Sequence, residues 1–273
     1  MTLDFFFRTV WLIGGRYFMF AAIAFGIYYI LFRKKFFYKK IQSRFPKNTD
    51  YLREVFYSVI TIFIFSFVSL VLFTHPAVAP HTTRYFKIAE HGWAYYFALY
   101  PVLFIMHDTY FYFTHRLMHH RRLFRWFHLV HHQSTNPSPW AAYAFHPLEA
   151  FVETGIVVVF LFTVPIHGTH LMIFFLFMIV YNIYGHLGYE LYPKGFSKSA
   201  VGKWINTSVN HNQHHQYFKG NYGLYFLFWD RMLGTLRADY DTRFEEVKSR
   251  KAILNETEEE EENAGISVAT VNA

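Results

Sequence analysis

Long apolar runs separated by short polar segments dominate the first two thirds of this 273-residue chain. A helix that crosses the ~30 Å hydrocarbon core of a membrane needs about 20 such residues. Three runs reach that length, although His107 and Asp108 interrupt the third run near its end. We therefore predict three membrane-spanning helices, over Trp11–Phe32, Phe56–Phe73 and Trp93–Phe113.

Two shorter apolar runs, Ala150–Pro165 and Thr169–Tyr184, follow the third span and are joined by a turn-like Pro-Ile-His-Gly sequence. Because each run is short for a span, we interpret the pair as one membrane hairpin that returns the chain to the side it left. The predicted fold class is all-α. It is an integral membrane helical bundle of three spans and a membrane hairpin, with a histidine-rich helical cap in the cytosol.

Composition supports membrane insertion and indicates its direction. The chain is 53% hydrophobic and 22% aromatic, which is apolar for a soluble protein, and its net charge is +7. Eight basic residues crowd positions 33–53, directly after the first span, and such crowding marks the cytoplasmic side. Counting segments from this loop places the histidine clusters on the cytoplasmic face of a bacterial inner membrane or the endoplasmic reticulum. Because the basic excess is local, we expect no nucleic-acid partner.

Eight of the 17 histidines form three tight clusters after the third span. Positions three or four apart share a helix face, so each cluster should direct its rings to one place. Neutral imidazole is the commonest protein ligand for metals, and burying unpaired imidazoles is costly. The pattern therefore predicts metal ligation. The eight residues are His115 and His119, then His128, His131 and His132, and then His211, His214 and His215.

Eight imidazoles exceed what one ion takes, so two ions are implied, and the absence of cysteine leaves nitrogen and oxygen as ligands. His186, just after the hairpin, is a ninth candidate ligand, with helix capping as its alternative role. His146 fits a ligand and a ligand-supporting role equally well. Asp108 lies on one helical stripe with His115 and His119 and should hold a ligand ring by a hydrogen bond. A buried ion pair elsewhere is the alternative for Asp108.

The remaining acidic and histidine residues have weaker links to the site. Glu149, Glu153 and Glu190 either orient ligands or form ordinary salt bridges. His107 lies off the helical stripe and is expected to be structural. Five more histidines fall in the loop on the opposite side or at the hairpin tip, and we assign them no role in the metal site. They are His75, His81, His91, His167 and His170.

Six sequence strings together resemble the fatty acid hydroxylase and sterol desaturase superfamily. They occur in the family's order over about half of the chain, and the histidine boxes are accompanied by the closing Asn-Tyr-Gly and Trp-Asp elements. The strings are His-Asp-Thr-Tyr-Phe-Tyr-Phe-Thr-His-Arg-Leu-Met-His (107–119), His-Leu-Val-His-His (128–132), Phe-His-Pro-Leu-Glu (145–149), Asn-His-Asn-Gln-His-His (210–215), Asn-Tyr-Gly (221–223) and Trp-Asp-Arg-Met-Leu-Gly-Thr (229–235).

The resemblance implies a membrane di-iron oxygenase that uses dioxygen to hydroxylate or desaturate a carbon–hydrogen bond of a lipid, such as a fatty acyl chain or a sterol. It implies that the eight clustered histidines and His186 hold two iron ions. Some members have a further histidine where this chain has Glu190, which leaves the coordination of the second metal open. Some also carry a fused heme domain that this sequence lacks. We therefore expect a separate electron donor, such as a ferredoxin, a b-type cytochrome or a reductase.

Two other functions fit parts of the pattern. A zinc-dependent membrane hydrolase would also use histidines, but it needs only three ligands and one ion. A metal transporter would place its ligands near the bilayer midplane, whereas these clusters lie outside the predicted spans.

Composition divides the chain into three regions. Residues 1–92 hold the N-terminal membrane anchor helices and the basic loop, and residues 93–237 form a fatty acid hydroxylase-like catalytic domain with every candidate ligand. Residues 238–273 are charged and include a run of glutamates, a composition that buries too little apolar surface to fold. We predict that this last region is a disordered tail.

Overall fold

A computed structural model describes residues 2–250 and consists almost entirely of helices. Long helices form the bundle, and short ones form the cap over one end. The helices are α1 (Thr2–Phe25, continuing as a π-helix over Gly26–Leu31), α2 (Asn48–Thr74), α3 (Gly92–Met118), α4 (Phe124–Phe127), α5 (Leu129–His132), α6 (Pro147–Thr163), α7 (Gly168–Gly185), α8 (Ser208–Tyr217) and α9 (Phe228–Met232).

Within residues 2–250, three helices are long and apolar enough to cross a membrane: Thr2–Leu31, Asn48–Thr74 and Gly168–Gly185. The all-α membrane class is thereby confirmed, and the first two predicted spans are found. The third predicted span forms α3, but its tyrosines, His107 and Asp108 lower its hydropathy, and it is not among the three. One arm of the predicted hairpin, α7, is instead long enough to span on its own.

The long helices pack side by side, with α1 antiparallel to α2. Tyr17 of α1 is fully buried, and its hydroxyl lies 2.8 Å from Oγ of Ser58 in α2. Leu103, Phe160 and Phe174 bring α3, α6 and α7 together in one apolar core. Because lipid is as apolar as these side chains, close packing rather than removal from water holds the helices together.

A short parallel strand pair closes the end of the bundle opposite the cap. Strand β1 (Arg84–Tyr85) precedes α3, and strand β2 (Ile166–His167) precedes α7. Since α3 and α7 both start at this end, their last residues emerge on the same side. This arrangement brings His115 and His186 to a common surface.

The C-terminal part of the described chain contains a helical segment over residues 240–250. Tyr240, Phe244 and Val247 recur at helical spacing, are fully buried and pack with Ile41 and Val209. This apolar face ties the segment to the cap, which corrects the disorder predicted from residue 238 for residues 240–250. The glutamate run lies outside the described residues.

Candidate metal centre

Nine imidazoles converge in two groups where α3 leaves the bundle. Within each group, one ring nitrogen of every residue lies within 4.8 Å of the others. The predicted ligands, the eight clustered histidines and His186, are therefore brought together. Cage one consists of His115, His119, His128, His132 and His214. Cage two consists of His131, His186, His211 and His215.

Each histidine triplet contributes to both cages, which corrects the expectation that a cluster directs its rings to one place. Successive helical residues are about 100° apart around the helix axis. Accordingly, His132 turns to cage one and its neighbour His131 to cage two. His214 and His215 divide in the same way. A single turn of α5 or α8 thus carries ligands of both cages.

The Nε2 atoms of cage one have the spacing of ligands around one ion. Nε2 of His132 lies 3.1 Å from that of His119 and 3.0 Å from that of His214. The Nε2 atoms of His115 and His128 are 2.9 Å apart. Two nitrogens held about 2.1 Å from one ion, at octahedral to tetrahedral angles, are about 3.0–3.4 Å apart. The cage therefore has the dimensions of a coordination sphere.

Cage two has the same spacing with four rings. Nε2 of His186 lies 3.3 Å from that of His131 and 3.0 Å from that of His211. Nε2 of His215 lies 3.2 Å from that of His186 and 3.1 Å from that of His211. Four imidazoles around one point leave room for further ligands on an ion that takes five or six.

Backbone carbonyl groups fix the outer nitrogen of four ligands. Each outer Nδ1–H donates to a carbonyl oxygen 2.7–3.0 Å away. A ring protonated at Nδ1 presents a bare Nε2 lone pair to the cage. The pairs are His115 with Tyr222, His214 with Gly220, His186 with Asn182 and His215 with Ser134.

The charge state of the rings fits bound cations. Burial lowers the pKa of all nine imidazoles, to about 4 for His115 and His186, so the rings are neutral at pH 7. Bare Nε2 atoms about 3 Å apart repel one another because lone pair faces lone pair. A cation between them converts this repulsion into attraction. The donor set therefore fits metal ions, and imidazole suits iron, zinc and copper.

Glu149 orients a ligand of cage one, a role that its sequence left undecided. Its Oε1 lies 2.6 Å from Nδ1 of His128, and both side chains are almost fully buried. A carboxylate on the outer nitrogen of a ligand fixes the ring and strengthens its donation to the metal.

We expect Glu149→Gln to weaken metal binding to cage one by about 10- to 100-fold, because the amide keeps an acceptor but loses the charge. Competition with a metal-indicator dye on purified protein measures the affinity. Glu153→Gln is the matched control, since Glu153 lies one turn further along α6 and makes no hydrogen bond with a cage histidine among the described residues. Equal weakening by both substitutions would contradict a specific role for Glu149.

The loop that supplies the carbonyl group for His214 has a conformation that depends on glycine. Gly220 and Asn221 have φ values of 80° and 58°. A Cβ atom on Gly220 would lie 2.7 Å from the backbone oxygen of Thr235, so the position has room for glycine alone. Asn221, the first residue of the Asn-Tyr-Gly string, thus belongs with Gly220 to the loop that supports cage one.

Asp230, from the Trp-Asp string, fixes the same loop from the other side. Its carboxylate accepts hydrogen bonds from the amides of Tyr222 and Gly223 at 2.9 and 2.8 Å and from the hydroxyl of Thr235 at 2.7 Å. Because the carbonyl group of Tyr222 holds His115, Asp230 acts on a ligand through one intervening residue. Residue types and spacing alone do not show this role.

Two predicted site residues lie outside the cages. Asp108 does not hold a ligand ring, because its Oδ1 accepts hydrogen bonds from the otherwise unpaired amides of Tyr225 and Phe226 at 2.7 and 3.1 Å. His146 belongs to neither cage, and its Nδ1 accepts a hydrogen bond from the amide of Leu148 and caps α6. Both predictions are corrected to structural roles.

Glu190 and His107 are also structural. Glu190 is fully buried and accepts hydrogen bonds from the Tyr184 hydroxyl at 2.8 Å and the Val209 amide at 3.0 Å, which anchors α8. It is absent from cage two. Nδ1 of His107 lies 3.0 Å from the hydroxyl of Tyr225, as expected for a histidine off the ligand stripe.

An apolar cavity of about 380 Å³ extends from cage two into the bundle. His131, His186 and His211 line one end, and Phe5 and Phe73 line the other end, near the strand pair. Its wall is mainly aliphatic and aromatic, from α1, α2, α6 and α7. A cavity of this shape and lining suits a long apolar molecule.

These features define a helical membrane protein in which two adjacent imidazole cages meet an apolar cavity. A family model described as fatty acid hydroxylase matches residues 100–235, a range that contains every cage histidine. The chain belongs to the fatty acid hydroxylase and sterol desaturase superfamily.

Curated relatives support the same family. The chain is 31% identical over 229 residues to a Delta(7)-sterol 5(6)-desaturase of Gibberella zeae, a match that covers 82% of this chain and 66% of the relative. It is 33% identical over 153 residues to lathosterol oxidase of Rattus norvegicus, covering 56% of this chain and 49% of the relative. The chain thus spans about half to two thirds of the length of these relatives. No solved structure matches the chain.

Proposed function

We propose that this protein is a membrane di-iron oxygenase that hydroxylates or desaturates a carbon–hydrogen bond of a lipid, using dioxygen and external electrons. The observation that carries the proposal is the contact between cage two and the apolar cavity. A lipid in that cavity would lie directly beside His131, His186 and His211. The names of the relatives, a sterol desaturase and a lathosterol oxidase, support oxidation of a lipid.

Two iron ions, one in each cage, suit the number and type of ligands. Five imidazoles surround one point and four the other, all of them neutral at pH 7. Bound iron would supply the activation of dioxygen and the oxidising power that an unactivated carbon–hydrogen bond requires. The protein's own contribution is to fix the rings through Glu149 and the backbone carbonyl groups, and to exclude water with the apolar cavity wall.

The cages and the basic loop lie on the same side of the bundle. The backbone of Lys40 pairs with that of Tyr189, three residues beyond a cage two ligand, and Gln42 donates to the side chain of Asn212 in α8 at 2.9 Å. Since basic loops mark the cytoplasmic side, we place both cages at the cytoplasmic membrane surface. A separate ferredoxin, b-type cytochrome or reductase would deliver electrons there. Residues 93–237 would form the catalytic domain.

A zinc-dependent hydrolase is less well supported. One catalytic zinc needs three protein ligands, which would leave most of the nine imidazoles without a role. The names of the relatives describe desaturation and oxidation, and neither of these reactions is a hydrolysis.

Metal analysis combined with turnover tests the proposal. Protein purified in detergent should contain about two irons per chain. With a chemical reductant, it should consume dioxygen and convert a sterol or an acyl lipid to a hydroxylated or desaturated product. One zinc per chain, with turnover that needs no dioxygen, would contradict the proposal. Lipid profiling of cells with and without the gene would identify the substrate.

Removal of the metal should also lower thermal stability. An ion present at 1,000 times its dissociation constant stabilises the folded state by about 4 kcal/mol, which corresponds to roughly 10 °C in Tm for a chain of this size. We therefore expect a chelator to lower the Tm by about that amount and iron to restore it. An unchanged Tm after complete iron removal would show that the cages do not depend on metal.

A further inference from the structure

A charged residue lines the apolar cavity within the first membrane-spanning helix. Arg16 lies on α1 and forms part of the cavity wall with Thr9 and Ile13. A guanidinium group has five N–H donors, yet this one makes a single long hydrogen bond to a described residue, from Nη1 to the Met172 carbonyl oxygen at 3.4 Å. Among residues 2–250, no carboxylate lies within 4.0 Å of it.

A second donor faces the same cavity near Arg16. Tyr143 lines the cavity, and its hydroxyl makes no hydrogen bond with a described residue. Burial raises the pKa of Tyr143, so the hydroxyl keeps its proton, and the charge of Arg16 opposes that rise. Tyr17, the neighbour of Arg16 on α1, stacks on Tyr143 with a ring-centroid distance of 4.7 Å, so the two donors lie on adjoining parts of the cavity wall. An unpaired cation inside a membrane span is costly, which indicates a binding role.

The polar side chains around the cavity are arranged asymmetrically. Its two carboxyl side chains, Glu149 and Glu153, line α6 at the end near cage one, and neither is paired with Arg16. An acidic group would therefore find a cationic partner at Arg16, whereas the end near cage one offers it two acidic side chains. Ring contacts connect Tyr143 through Phe145 to His131, with centroid distances of 6.3 and 5.1 Å. Tyr143 therefore lies two ring contacts from a cage two ligand.

We propose that Arg16 and Tyr143 bind the acidic end group, a carboxylate or a phosphate, of a long-chain lipid whose hydrocarbon part reaches cage two. The guanidinium group would take the two oxygens side by side, and the tyrosine hydroxyl would donate a third hydrogen bond. Anchoring one end of the lipid would select which carbon lies beside His131. This inference rests on the proposed function, because it takes the cavity as the substrate site.

Equilibrium binding of matched ligands tests the inference without turnover. Radiolabelled palmitate and 1-hexadecanol have the same chain and differ in the end group, and 1-palmitoyl-lysophosphatidate supplies the phosphate. In a non-ionic detergent, wild-type protein should bind at least one of the two acids ten or more times more tightly than the alcohol. The tighter of the two acids identifies the end group. Equal binding of all three ligands, or no binding, would overturn the proposal.

Substitutions assign the preference to the two residues. Arg16→Gln should abolish the preference for the acid and leave hexadecanol binding unchanged. Arg16→Lys should retain part of the preference for the acid, and Tyr143→Phe should reduce this preference several-fold. Arg8→Gln is the matched control, because Arg8 lies on the same helix but is exposed and paired with Asp4. An intact preference in Arg16→Gln would refute the site.

The two proposals fail in different experiments. If wild-type protein prefers the acid but shows no oxygen-dependent oxidation, the proposed function fails and the anion site stands. If it oxidises a lipid but Arg16→Gln binds palmitate normally, the anion site fails and the proposed function stands. Unchanged Tm and iron content in Arg16→Gln would show that the cages are intact.

Discussion

Replacing His131 with alanine should abolish oxygen-dependent lipid oxidation and remove about one iron per chain. His131 is a buried ligand of cage two that also lines the cavity, and its Nε2 lies 3.3 Å from that of His186. A catalytic metal supplies several kcal/mol of transition-state stabilisation, so we expect the rate to fall at least about 1000-fold. Mass spectrometry of the lipid product and metal analysis of the same sample measure both effects.

The corresponding change in cage one, His214→Ala, should have the same effect on turnover and remove the other iron. His214 is fully buried, and its Nδ1 donates to the Gly220 carbonyl group at 2.7 Å. His81→Ala is the control, because His81 is exposed in the loop at the opposite end of the bundle. If both cage variants retained turnover, the two-metal assignment would be wrong.

Asp230→Ala should lower the Tm by about 10 °C and weaken iron retention. The change removes three hydrogen bonds to a buried carboxylate and leaves the amides of Tyr222 and Gly223 without an acceptor. Bonds to charged groups contribute about 1.5–3 kcal/mol each, so three of them give a loss of at least about 4.5 kcal/mol, or roughly 10 °C or more in Tm. Thermal unfolding in detergent, followed by fluorescence, measures the change.

Asp239→Ala is the control for Asp230→Ala. Asp239 pairs with Arg237 at the surface, and its side chain is half exposed. Exposed ion pairs contribute about 0–1 kcal/mol, so Asp239→Ala should shift the Tm by at most a few degrees. A similar shift in both variants would mean that the loop over residues 220–223 does not depend on Asp230.

Most of the candidate centre could be predicted from the sequence because histidine spacing on helices determines which rings can meet. His115, His128 and His211 follow from such spacing, and all three lie in a cage. The division of each triplet between two cages depends on which neighbouring side chain faces which point. That choice is set by the packing of α3, α5 and α8 against one another, which one-dimensional spacing does not contain.

The supporting residues were harder to predict. Asp108 shares a helical face with two ligands, but its carboxylate accepts hydrogen bonds from the amides of Tyr225 and Phe226, more than 100 positions away, instead of from a ligand ring. Glu149 has no spacing signal that distinguishes it from Glu153, and only the fold brings it to His128. Long-range contacts of this kind depend on tertiary structure.

The membrane-spanning helices were likewise predicted only in part from the sequence. Apolar length correctly indicated α1 and α2, whereas the polar content of α3 and the full length of α7 changed which helices are long and apolar enough to cross. Arg16 does not alter the prediction of the first span, because the mean hydropathy over about 20 residues tolerates one charge. The spacing of Tyr240, Phe244 and Val247 is typical of an apolar helix face, but the prediction of disorder rested on the charged composition of the whole region.

Neighbouring histidines belong to different cages, and this division has a consequence for metal loading. His131 and His132 are joined by one peptide bond, as are His214 and His215, so an ion in either cage restrains the backbone that carries ligands of the other. Binding of the first ion would therefore incur most of the loss of conformational entropy that ordering the ligands requires. The second ion would bind to a preorganised site. Titration of the metal-free protein should accordingly give a sigmoidal curve with positive cooperativity, and species with a single ion should be scarce.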